Sequence, residues 1–552
     1  GTINNSSSGN FINYGTAGDW TNDGTVANSG TMGNGTNNNT MTNDGTVGTV
    51  ANNGTFTNNG TTTAVTNNSG GTFSNFGITT TVDNSGTFTN DAAGTTGDWT
   101  NSGTMTNNGT MGNGTNSGTY TLNGGTVGNV TNSGTFTFAT AGATVGSITN
   151  SGTVDITGAG GDVAVAGYTQ TSSGTLNMLG TQKFNVSGPV TLDGSLTIGS
   201  APTAFGRYTL ITGNTISGTF ANFTPTPSSS SYLKYGSDSV KLYVTPDSTA
   251  TQNSIGSVTT DIATTNSYVS GRTTGALGND CVSFSTTKGC VSIGFGYGRS
   301  PNGDLANGNM TLSTAATPNV RVGIFADQAI TNPTTGSVTY KSDTPVTGGF
   351  IGWNKNPDGA GLGITASFAA NSGTYTIARP LVALAEGGNG TAAVNTNAYQ
   401  VKAGYTFLPA PGVTVTPYIG LRYSSLDIGG YTETGNVFPL TVNRQSQTAT
   451  DVIAGIGISK QLTPKLTASA GIGVVQNVAK SVDGVTGSSE INNLGTFSSN
   501  TSSSNNASVG AGVGFSYAIT PTQRVNVGVN WQQKSLTSAD SVGVGVSFSW
   551  AF

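Results

Sequence analysis

The sequence predicts an all-β chain built from two architectures, an N-terminal parallel β-helix and a C-terminal antiparallel β-barrel. Three observations predict it. A short unit, Asn-x-Gly-Thr-apolar, recurs along residues 20–140. From Val291 onward the chain instead alternates apolar with small or polar residues, in runs about ten residues long. The composition is that of many short strands: 84 glycines in 552 residues, 8% charged side chains, and Val, Phe and Tyr at short intervals.

The first half is a repeat. The unit appears as NDGTV (22–26), NSGTM (28–32), NNGTF (52–56), NSGTF (84–88) and NSGTF (132–136), among others. A longer period overlies it. GDWTNDGT begins at Gly18 and GDWTNSGT at Gly97, while MGNGTN begins at Met32 and again at Met111, so a block of roughly 80 residues is duplicated. Phe56, Phe73, Phe88, Met105, Tyr120 and Phe136 fall 15 to 17 residues apart, the spacing of one solenoid coil. In GTFTN the apolar residue points one way and both threonines the other. Asn and Gly are expected to make the turns, because both tolerate left-handed backbone angles. Strands this short cannot fold alone, whereas stacked coils bury each aromatic on its neighbours and let Asn side chains form ladders. Residues 1–185 therefore read as a parallel β-helix, of either hand. The aromatic stripe is either a ligand-binding face or a stacked core, and stacking favours the core. Asp19 and Asp98 occupy equivalent repeat positions, as a structural role in a turn requires. No DxDxDG loop or GGxGxD array is present, so no metal site is expected.

Composition narrows the chemistry. Histidine is absent, which removes Ser-His-Asp and Cys-His catalysis and histidine zinc sites. Net charge is −5, the first cation is Lys183 and the first Glu is Glu386. A nucleic-acid partner for the repeats is excluded, since phosphate binding needs clustered cations. No cofactor is expected. No apolar run is long enough for a transmembrane helix, and the opening GTINNSSSGN has no signal-peptide pattern, so an exported chain would be a mature form. Cys281 and Cys290, in CVSFSTTKGC, suggest a small disulfide-closed hairpin in an oxidising compartment.

Residues 186–245 change texture. Gly194–Ile198 reads G-x-L-x-I, followed by GRYTLI (206–211), GTF (218–220) and VKLYV (240–244). This stretch resembles the C-terminal end of an autotransporter passenger. The resemblance implies that it caps the β-helix and starts its folding outside the cell. Independently, a solenoid needs a closed end to cover its strand edges. Residues 246–278 are small and polar, with a single weak helical stripe at Ile255, Val258 and Ile262. The resemblance implies a linker whose helix threads a barrel pore; a flexible linker is the other reading.

Residues 279–552 carry the alternating strands. VSIGFGYG (291–298) sets Val, Ile, Phe and Tyr against Gly and Ser, and GVTVTPYIGLRY (412–423) sets Val413, Val415, Ile419, Leu421 and Tyr423 against Arg422. Strands of about ten residues match a tilted bilayer crossing, and the opposite face is too small and polar for a dry core. Tyr423, Tyr517, Trp531 and Trp550 fall near strand ends, like an interfacial girdle. At roughly 22 residues per strand and turn, the segment holds about twelve strands, an outer-membrane β-barrel. TVTPYIGLRYSSL (414–426) and the closing SFSWAF resemble the autotransporter β-domain, a twelve-stranded translocator. That resemblance implies that Val546, Phe548, Trp550 and Phe552 form the signal read by the barrel-assembly machinery. Arg321, Lys402, Arg422 and Arg524 are expected to face the lumen, either hydrated or holding the linker through Asp247 or Asp261.

The reading is an autotransporter whose barrel anchors in a bacterial outer membrane, in contact with its lipid, and exports the β-helix to the cell surface, where it stays or is released. The passenger is expected to be an adhesive or structural module for host matrix, a glycan or a sister cell, and not an enzyme. Two alternatives stand: a polysaccharide lyase or glycosidase on the β-helix, or a barrel that acts mainly as a pore.

Overall fold

The computed structural model describes residues 1–225, 230–281, 288–300, 303–500, 507–533 and 540–552. Two compact units emerge, Gly1–Thr245 and Pro246–Phe552.

The first unit is a solenoid of parallel strands. One face is a 17-stranded sheet and another a 13-stranded sheet, and the pairings in these two sheets join one coil to an adjacent one. In-register stacking puts Phe56 on Phe73 and Phe73 on Phe88, with ring centroids 5.1 and 4.8 Å apart. All three rings are fully buried, so the aromatic stripe is core and not a ligand face.

The repeat unit has a physical reason for each of its letters. The Asn side chains are buried and form two continuous ladders, one from Asn5 to Asn150 and one from Asn13 to Asn107. Within the second, Asn28 Nδ2 donates to Asn43 Oδ1 at 2.7 Å, and Asn43 Nδ2 to Asn58 Oδ1 at 2.7 Å. Asn43 Nδ2 also reaches the backbone carbonyl of Thr61 at 3.2 Å, so one amide ties three chain segments. The glycines are needed for a different reason than the turn chemistry predicts. Gly30, Gly45 and Gly60 do not have positive φ. Instead, a Cβ on Gly45 would lie 2.1 Å from the Gly30 carbonyl oxygen, and one on Gly60 would lie 2.0 Å from that of Gly45. The coils approach so closely here that only hydrogen fits.

The duplicated block follows the same logic. Trp20 and Trp99 lie flat beneath Gly35 and Gly114, where a Cβ would come within 2.1 and 2.2 Å of the indole ring. Each indole Nε1 donates to a carbonyl of the next coil, Gly33 or Gly112, at 3.0 Å. GDW in one coil therefore requires MGNG in the next. Asp19 and Asp98 accept from the backbone N–H of Asn34 and Asn113, which is a structural role.

Parallel stacking continues beyond residue 185, through Ser195–Ile198 onto Asn222–Pro225. Gly206–Thr212 then pairs antiparallel with Ser239–Val244, which pairs antiparallel with Ser231–Tyr235. Buried Leu210, Ile211, Val240, Leu242 and Val244 seat this hairpin in the solenoid core.

The second unit is a closed barrel around a helix. Its twelve strands are β1 (Gly289–Ser300), β2 (Gly303–Thr317), β3 (Val320–Ala329), β4 (Val346–Asn354), β5 (Gly361–Arg379), β6 (Gly388–Ala410), β7 (Val413–Ile428), β8 (Gln445–Gln461), β9 (Leu466–Val482), β10 (Ala507–Thr520), β11 (Gln523–Gln533) and β12 (Asp540–Ala551). Each pairs antiparallel with the next, and β12 closes on β1 through Phe548↔Ile293 and Trp550↔Val291. Turns at 318–319, 411–412 and 521–522 are short and share an end with Phe552. The segments 330–345, 380–387 and 429–444 at the other end are long. Two of these segments add structure: Val338–Ser342 pairs with the top of β5, and Tyr431–Thr432 and Thr441–Val442 join a separate four-stranded sheet.

The outer face is apolar. Ile293, Phe295, Ile324, Ile351, Ile419 and Leu421 are each more than half exposed there, as lipid-facing residues must be. Trp353, Phe407, Tyr517 and Trp550 lie toward the short-turn end, and Tyr297, Tyr399, Tyr423 and Trp531 toward the other. Strand β12 shows the alternation clearly: Val546, Phe548, Trp550 and Phe552 are exposed, while Ser549 and Ala551 are buried. Phe552 exchanges both backbone hydrogen bonds with Gly289, at 2.9 and 3.0 Å.

Candidate functional site

The lumen holds helix α1, Ser248–Ala276. Its sequence is rich in Thr, Ser and Gly, poor intrinsic helix formers. Tertiary context overrides that. Asp247 caps the N-terminus, its carboxylate accepting from Ala250 N at 2.7 Å. The hydroxyls of Thr259, Thr265 and Thr273 donate to carbonyls one turn back, Ile255, Asp261 and Val269, at 2.8, 2.8 and 3.2 Å. Internal satisfaction lets these threonines be buried without an orphaned polar group. The buried stripe runs from Thr251 through Ile255, Val258, Ile262, Asn266 and Val269 to Thr273 and Ala276. Only Ile255, Val258 and Ile262 were visible as a pattern, because most of the remainder is polar.

Named contacts fix the helix to the wall. Arg272 donates from Nε and Nη2 to Asp327 Oδ1 on β3, at 3.2 and 3.1 Å, and from Nη2 to the Asp327 carbonyl at 2.6 Å. Asp261 Oδ2 accepts from Ser337 N and Oγ at 2.8 and 2.7 Å. Tyr375 on β5 donates its hydroxyl to Asn266 Oδ1 at 2.7 Å, and the hydroxyls of Thr273 and Thr396 meet at 2.7 Å. The helix packs on β4 to β7. The opposite wall carries Gly294, Gly296, Gly512, Gly514, Gly528 and Gly545, and leaves open space of about 930 Å³ toward the short-turn end and about 520 Å³ beside Arg272.

The helix has a direction. At its start, Asp247 N donates to Leu384 O in the long β5–β6 segment, and Gln252 Nε2 donates to Ser498 O. At its end, Asp280 pairs with Arg321 at 2.7 Å, and Ser313 Oγ donates to Cys281 O at 2.9 Å. The chain thus descends the pore from the long-loop rim to the short-turn rim.

The basic residues read from sequence occupy different settings. Arg321 holds Asp280, just past the helix. Arg422 pairs with Asp451 on β8 at 2.7 Å, and Asn477 completes that group at 2.9 Å. Lys402 places Nζ 5.3 Å from the Tyr418 ring centroid. Lys402 and Arg422 line the lumen cavity, and Arg321 is joined to it through Asp280, which lines it as well. Arg524 shares a strand face with Asn526 but is exposed at the turn. The expectation that they hold the linker through Asp247 or Asp261 is corrected: Asp247 caps the helix and Asp261 binds Ser337. The charge arrangement is reversed there, with the helix supplying the cation, Arg272, and the wall the carboxylate. Sequence reading missed Arg272 and a second buried pair, Arg379 with Glu433 at 2.6 Å, which pins the loop rim. An Arg within an otherwise uncharged stretch of a pore-threading segment was the available signal.

Cys281 and Cys290 are joined by a disulfide. The hairpin expected between them falls on residues 282–287, outside the described residues.

Residues 282–532 match the family model for the autotransporter beta-domain. The barrel is an autotransporter β-domain. Among solved structures, the chain is similar to the translocator domain of the autotransporter NalP from Neisseria meningitidis, at 15% identity and TM-score 0.40, covering 53% of this chain and 97% of that one. It is also similar to the transport unit of the autotransporter AIDA-I from Escherichia coli, at 13% identity and TM-score 0.32, covering 53% and 99%. A 77-residue stretch is 36% identical to outer membrane protein A of Rickettsia rickettsii. That match spans 12% of this chain and only 3% of the length of the relative. An autotransporter β-domain is an outer-membrane protein, and its pairing here with a β-helix is the architecture of a passenger and its translocator.

Proposed function

We propose that the autotransporter β-domain holds the solenoid on the outer surface of a bacterial outer membrane, and that the solenoid is an adhesive or structural module and not an enzyme. The observation that carries this reading is the direction of α1. Its N-terminal end lies at the long-loop rim, the outward side of such barrels, so the chain upstream leaves the pore there. The solenoid's own chemistry favours a non-enzymatic role: the aromatic stripe is sealed in the core, and Asp19 and Asp98 are engaged by backbone N–H groups.

Folding outside the cell would begin at the antiparallel hairpin of residues 206–244 and propagate coil by coil, since each coil's interface is with its neighbours. Burial of a side chain such as Phe88 contributes about 2–3 kcal/mol, a driving force that needs no ATP. The outward Val546, Phe548, Trp550 and Phe552 stripe is the feature the barrel-assembly machinery would read. Partners of the displayed solenoid would be host matrix, a glycan or a sister cell. A pore role has one observation in its favour, the open lumen beside α1, and solute flux through the full-length protein in liposomes tests it.

Surface proteolysis of intact cells, with antibodies to both units, decides the main reading. Loss of the solenoid signal with the barrel retained is expected. A solenoid protected until cells are lysed would refute it.

A further inference from the structure

One outer face of the solenoid is a regular grid of hydroxyl groups. From Thr40-Met41-Thr42 to Thr135-Phe136-Thr137, seven successive strands of the 13-stranded sheet stack in parallel register. All seven read Thr-x-Thr, except that Ser74 replaces the second threonine of one. The central residue of every triplet is fully buried, so both hydroxyl residues project outward. Neighbouring coils are about 4.8 Å apart, and two residues along a parallel strand span about 6.6 Å. The rings beneath show how little the coils rotate: Phe56–Phe73, Phe73–Phe88 and Tyr120–Phe136 are inclined by only 9°, 9° and 7°. The two ranks above them therefore keep their spacing over a length of about 29 Å.

We propose that this face binds ice. The hydroxyls are free to do so: apart from a 3.4 Å contact between Thr40 and Asn39, none of them has a protein partner among the described residues. The triplets carry no charged side chain. The other sheet differs, its rank at Thr66 and Thr100 being broken by Ala51 and by Asp83, which takes the Thr100 hydroxyl at 2.6 Å.

Each threonine offers about 1 kcal/mol of hydrogen bonding at best, so a small soluble molecule touching two or three would not be held. A solid that repeats along both axes engages the whole grid at once, and many weak contacts then add within one rigid body. The prism face of hexagonal ice repeats at close to these two spacings. Its oxygens both donate and accept, and a rotating Thr hydroxyl can match either role. The methyl groups between the hydroxyls favour ordered water over a flat apolar strip. Crystalline polysaccharide is the competing solid, but binding it calls for exposed aromatic rings, and the aromatics of this sheet all point inward. The inference rests on the adhesive reading of the solenoid and supplies its ligand, a solid surface.

The test uses the full-length protein in detergent micelles, with detergent alone as the blank. Ice-crystal shaping and freezing-point hysteresis are measured for the unmodified protein, for Thr89→Tyr with Thr106→Tyr at the centre of the grid, and for Thr131→Tyr on the other sheet. All three positions face solvent, and circular dichroism confirms the fold. Faceted crystals and hysteresis are expected from the unmodified protein and from Thr131→Tyr, with most of the hysteresis lost in the double variant. Absence of shaping by folded protein overturns the proposal, as does equal loss in Thr131→Tyr. Retention on microcrystalline chitin or cellulose without ice shaping overturns it in favour of polysaccharide. Export plays no part in this assay, so a failure of surface display is seen separately in the protease experiment on cells.

Discussion

Arg272→Ala should loosen the helix from the barrel. The guanidinium makes three contacts to Asp327, and both side chains are nearly buried, at 10% and 8% exposure. Breaking a buried pair by removing one partner costs about 3–5 kcal/mol, because the other charge is stranded. Here the lower end applies. Asp327 keeps a hydrogen bond from Asn307, and the adjoining space of about 520 Å³ lets water reach the carboxylate. A loss of about 3 kcal/mol lowers the occupancy of the seated helix about a hundredfold relative to the released one. Arg272→Ala with Asp327→Ala should cost less than Arg272→Ala alone, since no charge is left behind. Single-channel conductance of the full-length protein reads the open fraction directly, and protease cleavage within residues 248–276 reports it independently. Equal conductance and equal cleavage for all three proteins would refute the argument.

In the solenoid, Asn43→Ala removes the ladder bonds to Asn28 and Asn58 and the bond to the Thr61 carbonyl, a cost of about 3 kcal/mol, whereas exposed Asn59→Ala loses its bond to Asp44 and should cost under about 0.5 kcal/mol; urea denaturation compares them. Gly114→Ala drives a Cβ into the Trp99 ring and should destabilise by about 1–3 kcal/mol, with partial recovery when Trp99→Val is added, because the ring is then gone while the residue 99 carbonyl oxygen stays 2.6 Å from that Cβ; thermal unfolding tests the pair. Arg379→Ala strands Glu433 at the loop rim and should cost about 3–5 kcal/mol, appearing first as protease nicking in residues 429–444. Burial pushes the hydroxyl pKa of Tyr120 and Tyr168 well above the ordinary tyrosine value, so the unfolded chain ionises first and solenoid stability should fall as pH rises above about 10; a denaturation series from neutral to alkaline pH follows it.

Both architectures were legible because each imposes a period on the chain. A 15- to 17-residue recurrence of Phe and Met can only be a stack of coils, and strands alternating from Val291 to Phe552 can only be a wall with two different sides. The role of glycine in the repeat was misread, since composition shows that Gly is required but not whether φ or close approach requires it. Helix α1 was nearly invisible: its buried stripe is mostly Thr, Ser and Asn, residues that carry no hydrophobic signal. Their burial became affordable only once carbonyls one turn back and wall residues such as Tyr375 and Thr396 satisfied them.

The lumen charges mark the same boundary. Alternation on the strands sufficed to aim Arg321, Lys402 and Arg422 inward, because side-chain direction is local to a strand. Which carboxylate each would meet is a matter of register between segments far apart in the chain. Arg272 and Asp327 are separated by 55 residues and Arg379 and Glu433 by 54. The sequence by itself determined the periods, the faces and the need for Gly and Asn at each turn, since these follow from one coil or one strand at a time. Only the closed tertiary structure decided how the helix is seated and which charges pair, because those depend on distances that exist only after the barrel has closed around it.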